Sequence, residues 1–442
     1  MSMSTPSGSV PSAAGRTDLE RRLGLRDAVM IGLGSMIGAG VFVVFAPAAS
    51  SAGALLFVGL LVVAVVAWCN ARSTARLAAA HPTSGGAYTY GRAELGPVWG
   101  FVAGWCFVVG KTASCAAMAL AVAAYVAPAD LERAIAVAVV VALTIVNALG
   151  VTKTAAMTRV IVVLVLWVLV VVVVAGIAAG GAAVVPTDSP TGSRTVSPLA
   201  TPLGETYGVL QAAGLLFFAF AGYARIATLG EEVRAPERTI PRAVTISFLV
   251  ALAVYTVVAF VCLVTLGVDG LAASREPLSD VVRAAGWAAA VPIVQAGAAL
   301  AALGALLGLM AGIGRTSFAM AREGDLPRFL ERVHPRSRVP VRAEIMLGCL
   351  VALLVLFVDV PTAVTLSSAG VLVYYAVANI SAFRLAARVP SVRALRGTAV
   401  LGLIGCVVLV LALPPLAAAS ALGVVAVGVL GRLIVLRVRS RS

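Results

Sequence analysis

The 442-residue chain is short of charge, at 12%, and of aromatics, at 6%, and it has only two histidines. A soluble domain is nearer a quarter charged, so the first shortage excludes an ordinary water-soluble globule. Six cysteines (Cys69, Cys106, Cys115, Cys262, Cys349 and Cys406) show no C-x-x-C spacing and no histidine at ligand spacing. That removes metal clusters and disulfide frameworks; all six fall in apolar runs and read as small buried hydrophobes. With scattered histidines and no acid deep in an apolar run, a nucleophile–base pair for a membrane enzyme is missing as well. A channel would want a polar ring or a carbonyl filter, and none is visible. No metal or cofactor is expected.

What is present is apolar length: 61% of residues are hydrophobic and the mean hydropathy is +1.05. Taking a span as about 20 apolar residues, the runs 27–53, 54–80, 98–126, 133–150, 158–180, 207–230, 243–268, 285–313, 343–359, 362–387, 397–414 and 415–435 predict twelve transmembrane helices. The fold class is all-α integral membrane. The formal charge of +14 would make nucleic acid a partner in a soluble protein, but its distribution assigns it to topology. Arg16, Arg21, Arg22 and Arg26 precede the first span, Arg315, Arg322, Arg328, Arg332, Arg336, Arg338 and Arg342 crowd the loop after the eighth, and Arg432, Arg437, Arg439 and Arg441 close the chain. Only Arg133, Arg194, Arg275 and Arg283 fall in the opposite loops, so by the positive-inside rule both termini are cytoplasmic. The first 25 or so residues lack an apolar core and read as a disordered tail, not a signal peptide.

Function is expected where hydrophobic runs are interrupted. The first span contains Gly34-Ser35-Met36-Ile37-Gly38-Ala39-Gly40-Val41-Phe42, and the sixth contains Phe217-Phe218-Ala219-Phe220-Ala221-Gly222-Tyr223. Unwound backbone inside a membrane is tolerated only around a cavity, where half-helix ends offer positive dipoles to a carboxylate and carbonyls to an ammonium. That pair of charges describes an amino acid. Small-residue helix packing is the plainer alternative for these glycines.

These segments resemble the amino acid–polyamine–organocation (APC) permeases. Gly34 to Phe42 resembles the first-helix signature; Pro82 to Tyr90 with Leu95-Gly96 the stretch after helix two; Gly230 to Arg234 with Pro236, Arg238, Pro241 and Arg242 the loop after helix six; and Ala319 to Pro327 the loop after helix eight. The resemblance implies the leucine-transporter fold: a cytoplasmic tail at 1–26, a five-helix repeat at 27–180, an inverted repeat at 207–388, two further helices at 397–435 and a basic tail at 436–442. Helices one and six would be discontinuous. It also implies a carboxylate held by the amides of Ala39 and Gly40 near Ser35 and Met36. The ammonium would lie on the carbonyls of Ile37 and of Phe218 to Ala221, around Gly38 and Gly222, and Phe218 would close over the substrate.

Departures from the family pattern narrow the substrate. An acid often follows the sixth-helix motif in relatives that carry cations; here Ala224 and Arg225 stand there, and Arg76 replaces a usual glutamate in helix two. A neutral amino acid is expected. From Trp287 to Ile313 helix eight offers only Gln295 as a polar ligand, too few oxygens for sodium, so proton coupling or exchange is expected. Lys111, one of two lysines, sits in mid-helix three and is the coupling candidate; Gly110-Lys111-Thr112 is not a phosphate loop, since Trp105 takes the place of its first glycine. Arg225 is expected to reach Glu231 or Glu232, and His81 and His334 to be solvated. The expected partners are a small-molecule amino acid and the lipid bilayer, with no nucleic acid, in a bacterial plasma membrane; the oligomeric state is left open. An exporter, a polyamine or organic-cation permease and a non-transporting sensor are the alternatives.

Overall fold

The computed structural model describes residues 23–82, 85–150, 155–179, 202–228, 232–334 and 339–439. The expected tail up to residue 22, the stretches holding Lys153, Arg194, Glu231, Arg336 and Arg338, and the last three residues lie outside them. A bilayer core supplies no water, so each apolar run must satisfy its own backbone. The described residues are accordingly organised as helices, with a single isolated bridge from Leu23 to Val233.

The first expected span is three pieces: α1 (Leu25–Met36), α2 (Gly40–Val43) and α3 (Phe45–Ala52). Gly53, at φ 56°, turns the chain into α4 (Leu56–Ala80), a sign of φ that suits glycine. A short α5 (Ala87–Leu95) follows, then α6 (Pro97–Val126), α7 (Glu132–Ala148) and α8 (Ala155–Ala179). The sixth expected span is α9 (Pro202–Phe220), a 3₁₀ turn over Ala221–Tyr223, and α10 (Ala224–Ala227). Next come α11 (Pro236–Ala273), kinked at Gly267, then α12 (Pro277–Ala284), α13 (Val291–Arg322), α14 (Val341–Phe357), α15 (Val360–Arg388), α16 (Leu395–Ala412) and α17 (Pro415–Arg439). Among the described residues nine helical segments are long and apolar enough to cross a membrane. α7 and α14, with 17 residues each, fall just under that length, and α17 carries the apolar stretch Gly423–Leu433.

α6 is the most enclosed helix, 89% buried over its apolar stretch against 44% for α8, which turns Val160, Val163 and Trp167 outward. It therefore forms the centre against which α13 and α15 pack. Gly110 and Gly370 meet at the α6–α15 crossing, where a Cβ on Gly110 would stand 3.2 Å from the Gly370 Cα, and the Ser114 and Ser367 hydroxyls hydrogen-bond beside it at 2.5 Å. Five of the six cysteines are buried as expected; Cys349 is exposed on the outer face of α14, since burial in a span depends on which way the helix is turned.

Candidate functional site

The two interruptions expected from sequence are present and touch each other. α1 ends at Met36, Ile37 leaves helical geometry (φ −82°, ψ 37°), and the helix restarts at Gly40. In the sixth span the break is milder, a tightened turn from Ala221 to Tyr223 between α9 and α10. Met36, Ile37, Gly38, Ala39 and Gly40 are buried, as are Phe218, Ala219 and Ala221, while Ser35 and Gly222 are partly so. The glycines serve close approach. A Cβ on Gly222 would lie 2.2 Å from the Ser35 carbonyl oxygen, one on Gly40 2.8 Å from the Ala219 Cα, and one on Gly38 2.7 Å from Ala305 of α13. None of these three has a positive φ, so the expectation that they free the backbone is replaced by one of contact, and the small-residue packing alternative describes part of their role.

Breaking a helix leaves carbonyls without intrahelical donors, and buried ones need partners. Tyrosines supply them. The Tyr255 hydroxyl on α11 lies 2.6 Å from the Met36 carbonyl and 3.0 Å from that of Ala219, so one phenol joins both interrupted segments. Tyr125 at the end of α6 donates to the Phe42 carbonyl at 3.0 Å. Tyr375 on α15 donates to the Ala221 carbonyl at 3.3 Å, and Lys111 points its ammonium at the same oxygen from 3.5 Å. Tyr375 also packs edge-on to Phe217 and beside Tyr223, and Phe220 packs edge-on to Tyr255. Phe218, the expected gate, is buried but pairs with no aromatic ring among the described residues. Sequence reading missed the three tyrosines; their signal was a phenol within an apolar span, which must find a partner there.

Lys111 is 7% exposed, and no described carboxylate pairs with it. No Asp or Glu stands in α6, α13 or α15. Arg225 does not reach Glu232, which instead faces Arg315 at 3.9 Å; Glu231 lies outside the described residues. Arg225 lines a cavity of about 80 Å³ with Asn147, Arg315 and Glu344. Glu344, placed at a span end by the sequence, is 3% exposed, with Oε2 lacking a hydrogen-bond partner.

At the α5 end of the bundle the two loop motifs join. Asp325, its side chain 4% exposed, accepts from Tyr88 at 3.0 Å, from Arg92 at 3.0 Å and from Arg432 of α17 at 2.8 Å. Burial and the Asp325 charge push the Tyr88 phenol up, which keeps it a donor. His81 is only partly solvated: its side chain stays 29% exposed, but its Nε2 lies 2.9 Å from Glu94, which is also paired with Arg388, because α5 folds Glu94 back under the end of α4. Trp105 of α6 donates to the Val424 carbonyl of α17 at 2.7 Å.

A helical, multi-span architecture with interrupted helices meeting side by side in the interior is the build expected of a membrane transporter, and its relatives agree. The sequence profile of the family described as "Amino acid permease" matches residues 23–434, and the chain belongs to that family, within the APC superfamily. It is 54% identical over 93% of its length to an uncharacterized transporter of Mycobacterium tuberculosis, covering 90% of that protein. It is 27% identical over 86% of its length to a branched-chain amino acid permease of Bacillus subtilis, covering 84% of it. It is 28% identical over 82% of its length to a vacuolar cationic amino acid transporter of Arabidopsis thaliana, covering 62% of it.

Proposed function

We propose that this permease moves a neutral amino acid across the plasma membrane by alternating access, without sodium, with twelve spans in the leucine-transporter arrangement and both termini cytoplasmic. The substrate carboxylate lies on the amides of Ala39 and Gly40, beside Ser35 and Met36. Its ammonium faces the carbonyls of Ile37 and of the Phe218 to Ala221 stretch, and Phe218 closes over it. Residues 27–180 and 207–388 are the inverted repeats in this reading, with the helices of 397–435 outside them.

The observation that carries the reading is the contact of the two breaks beside helices α6, α13 and α15, which carry no Asp or Glu; there Gly40 meets Ala219 and Gly222 meets Ser35. Half-helix ends there offer partial charges of both signs, about half an elementary charge each, enough to orient a zwitterion. Of the three relatives, two are named for different side chains, one branched-chain and one cationic. The lack of an acid in α6, α13 and α15 favours the neutral one, since a cationic side chain buried there would find no counter-charge on those helices, and Glu344 of α14 shares its cavity with Arg225 and Arg315. From Val291 to Ile313 α13 offers sodium only Gln295, which already donates to Glu276 at 3.0 Å; its hydroxyls come later, and that of Thr316 donates back to the Gly312 carbonyl at 3.1 Å.

Counterflow in proteoliposomes tests this. With unlabelled leucine, alanine and serine inside, labelled neutral amino acid is expected to accumulate transiently at equal pH with or without sodium. A requirement for sodium, or labelled arginine outpacing leucine, overturns the reading.

A further inference from the structure

Resting on the reading of the two breaks as the amino acid site, we infer that Lys111 is a built-in occupant of the ammonium position: an arriving substrate ammonium takes the Ala221 carbonyl and Lys111 gives up a proton to water.

The Ala221 oxygen already has two donors, the Tyr375 hydroxyl at 3.3 Å and the Lys111 ammonium at 3.5 Å. A carbonyl offers two lone pairs, so a third donor must displace one. The lysine contact is long for a hydrogen bond but close for a charge against a carbonyl dipole. Displacing Tyr375 would leave two ammoniums on one oxygen in a medium of low dielectric, where like charges repel far more than in water. Displacing Lys111 is the lower-energy outcome, and the side chain has little room to leave with its charge. It is 7% exposed, its neighbour Gly110 is locked against the α15 backbone at Gly370, and no described carboxylate waits for it elsewhere. The charge therefore leaves as a proton: the Nζ–H bond breaks, its electron pair stays on nitrogen, and the proton passes to water.

The competing proton source is Glu344 of α14, buried in the cavity it lines with Arg225 and Arg315, and the Lys111→Met control separates the two. Cys115 lies one turn along α6, Tyr375 of α15 shares the Ala221 oxygen, and Tyr223 of the sixth-span turn packs beside Tyr375. The charged residues of α13 are Arg315 and Arg322, and of α15 Arg384 and Arg388, all towards one end of their helices. On the other neighbours, Tyr88, Arg92 and Glu94 of α5 and Arg432 of α17 are engaged at the α5 end, where Tyr90 donates to the Ala227 carbonyl. Glu132 and Arg133 open α7, and Arg342 and Glu344 open α14, with Cys349 facing outward on the latter. Among the described residues Lys111 is thus the one ammonium at the breaks, with the Arg225 guanidinium in α10 just past the second.

Linkage fixes the sign: if binding releases one proton, affinity tightens about tenfold per pH unit while the lysine is charged in the empty site. The test is calorimetric titration of the purified full chain with L-leucine in two buffers of different ionisation enthalpy. About one proton released per leucine is expected, with none released on titration with 4-methylpentanoate, which is leucine without its amino group. In Lys111→Met, leucine binding is expected to release no proton and to lose its pH slope; Lys111→Gln serves if the methionine variant does not fold. Leucine binding without proton release in the natural chain overturns the inference while leaving the substrate reading intact, and so does proton release that persists in the variant. Failure to bind leucine, alanine or serine at all overturns the substrate reading itself.

Discussion

At the scale of residues, the interior is organised by hydroxyls. Tyr255 has one phenol proton and two carbonyl neighbours, Met36 at 2.6 Å and Ala219 at 3.0 Å, so the proton is shared between the interrupted segments. Tyr255→Phe keeps the ring and its edge contact with Phe220 while leaving both carbonyls without that donor. A buried unsatisfied carbonyl costs about 1–3 kcal/mol. The variant is expected to melt at a lower temperature in detergent and to bind leucine more weakly; a melting point equal to that of the natural chain would show that the phenol proton is dispensable. These roles were not legible in the sequence. A tyrosine in an apolar run declares that it needs a partner, but the partners here lie 36 to 219 positions away, and sequence order carries no record of them.

At the scale of elements, Asp325 ties α5 and the segment after α13 to α17 through Tyr88, Arg92 and Arg432. Its side chain is 4% exposed and that of Arg432 11%, so this is closer to a buried ion pair than a surface one. Losing one member of such a pair costs about 3–5 kcal/mol, because the other is left uncompensated. Asp325→Asn is expected to speed trypsin cleavage around Arg432, read on a gel in detergent; an unchanged cleavage pattern would show that α17 is held by its other contacts, among them Trp105 with Val424 and Arg432 over the Phe101 ring. The elements themselves were readable. The run 27–53 ends one residue beyond Ala52, and 207–230 overlaps the segment Pro202–Ala227, because hydropathy marks where backbone must bond to itself. The interruptions were readable too, from glycine spacing. The pairing of His81 with Glu94 and the separation of Arg225 from Glu232 were not, since both depend on how a short helix or loop folds back under its neighbour.

At the scale of the whole molecule, selectivity follows from where charge is missing. α6, α13 and α15 carry no carboxylate, and buried Glu344 of α14 lies in the cavity shared with Arg225 and Arg315, so on the proposed reading a substrate with a second positive charge finds no free counter-charge at the breaks. In a competition series, lysine and arginine are expected to displace bound leucine at least tenfold less well than alanine or serine does, a difference of about 1.4 kcal/mol or more; equal displacement would require a carboxylate near the site in another conformation. The phenol bridge of Tyr255 has one more consequence, which concerns time. Since a single hydroxyl joins the Met36 and Ala219 carbonyls, neither interrupted helix can straighten or part without disturbing the other's hydrogen bond. The two behave as one cooperative unit, and a rapid-mixing trace of substrate arrival follows one relaxation where independent segments would give two.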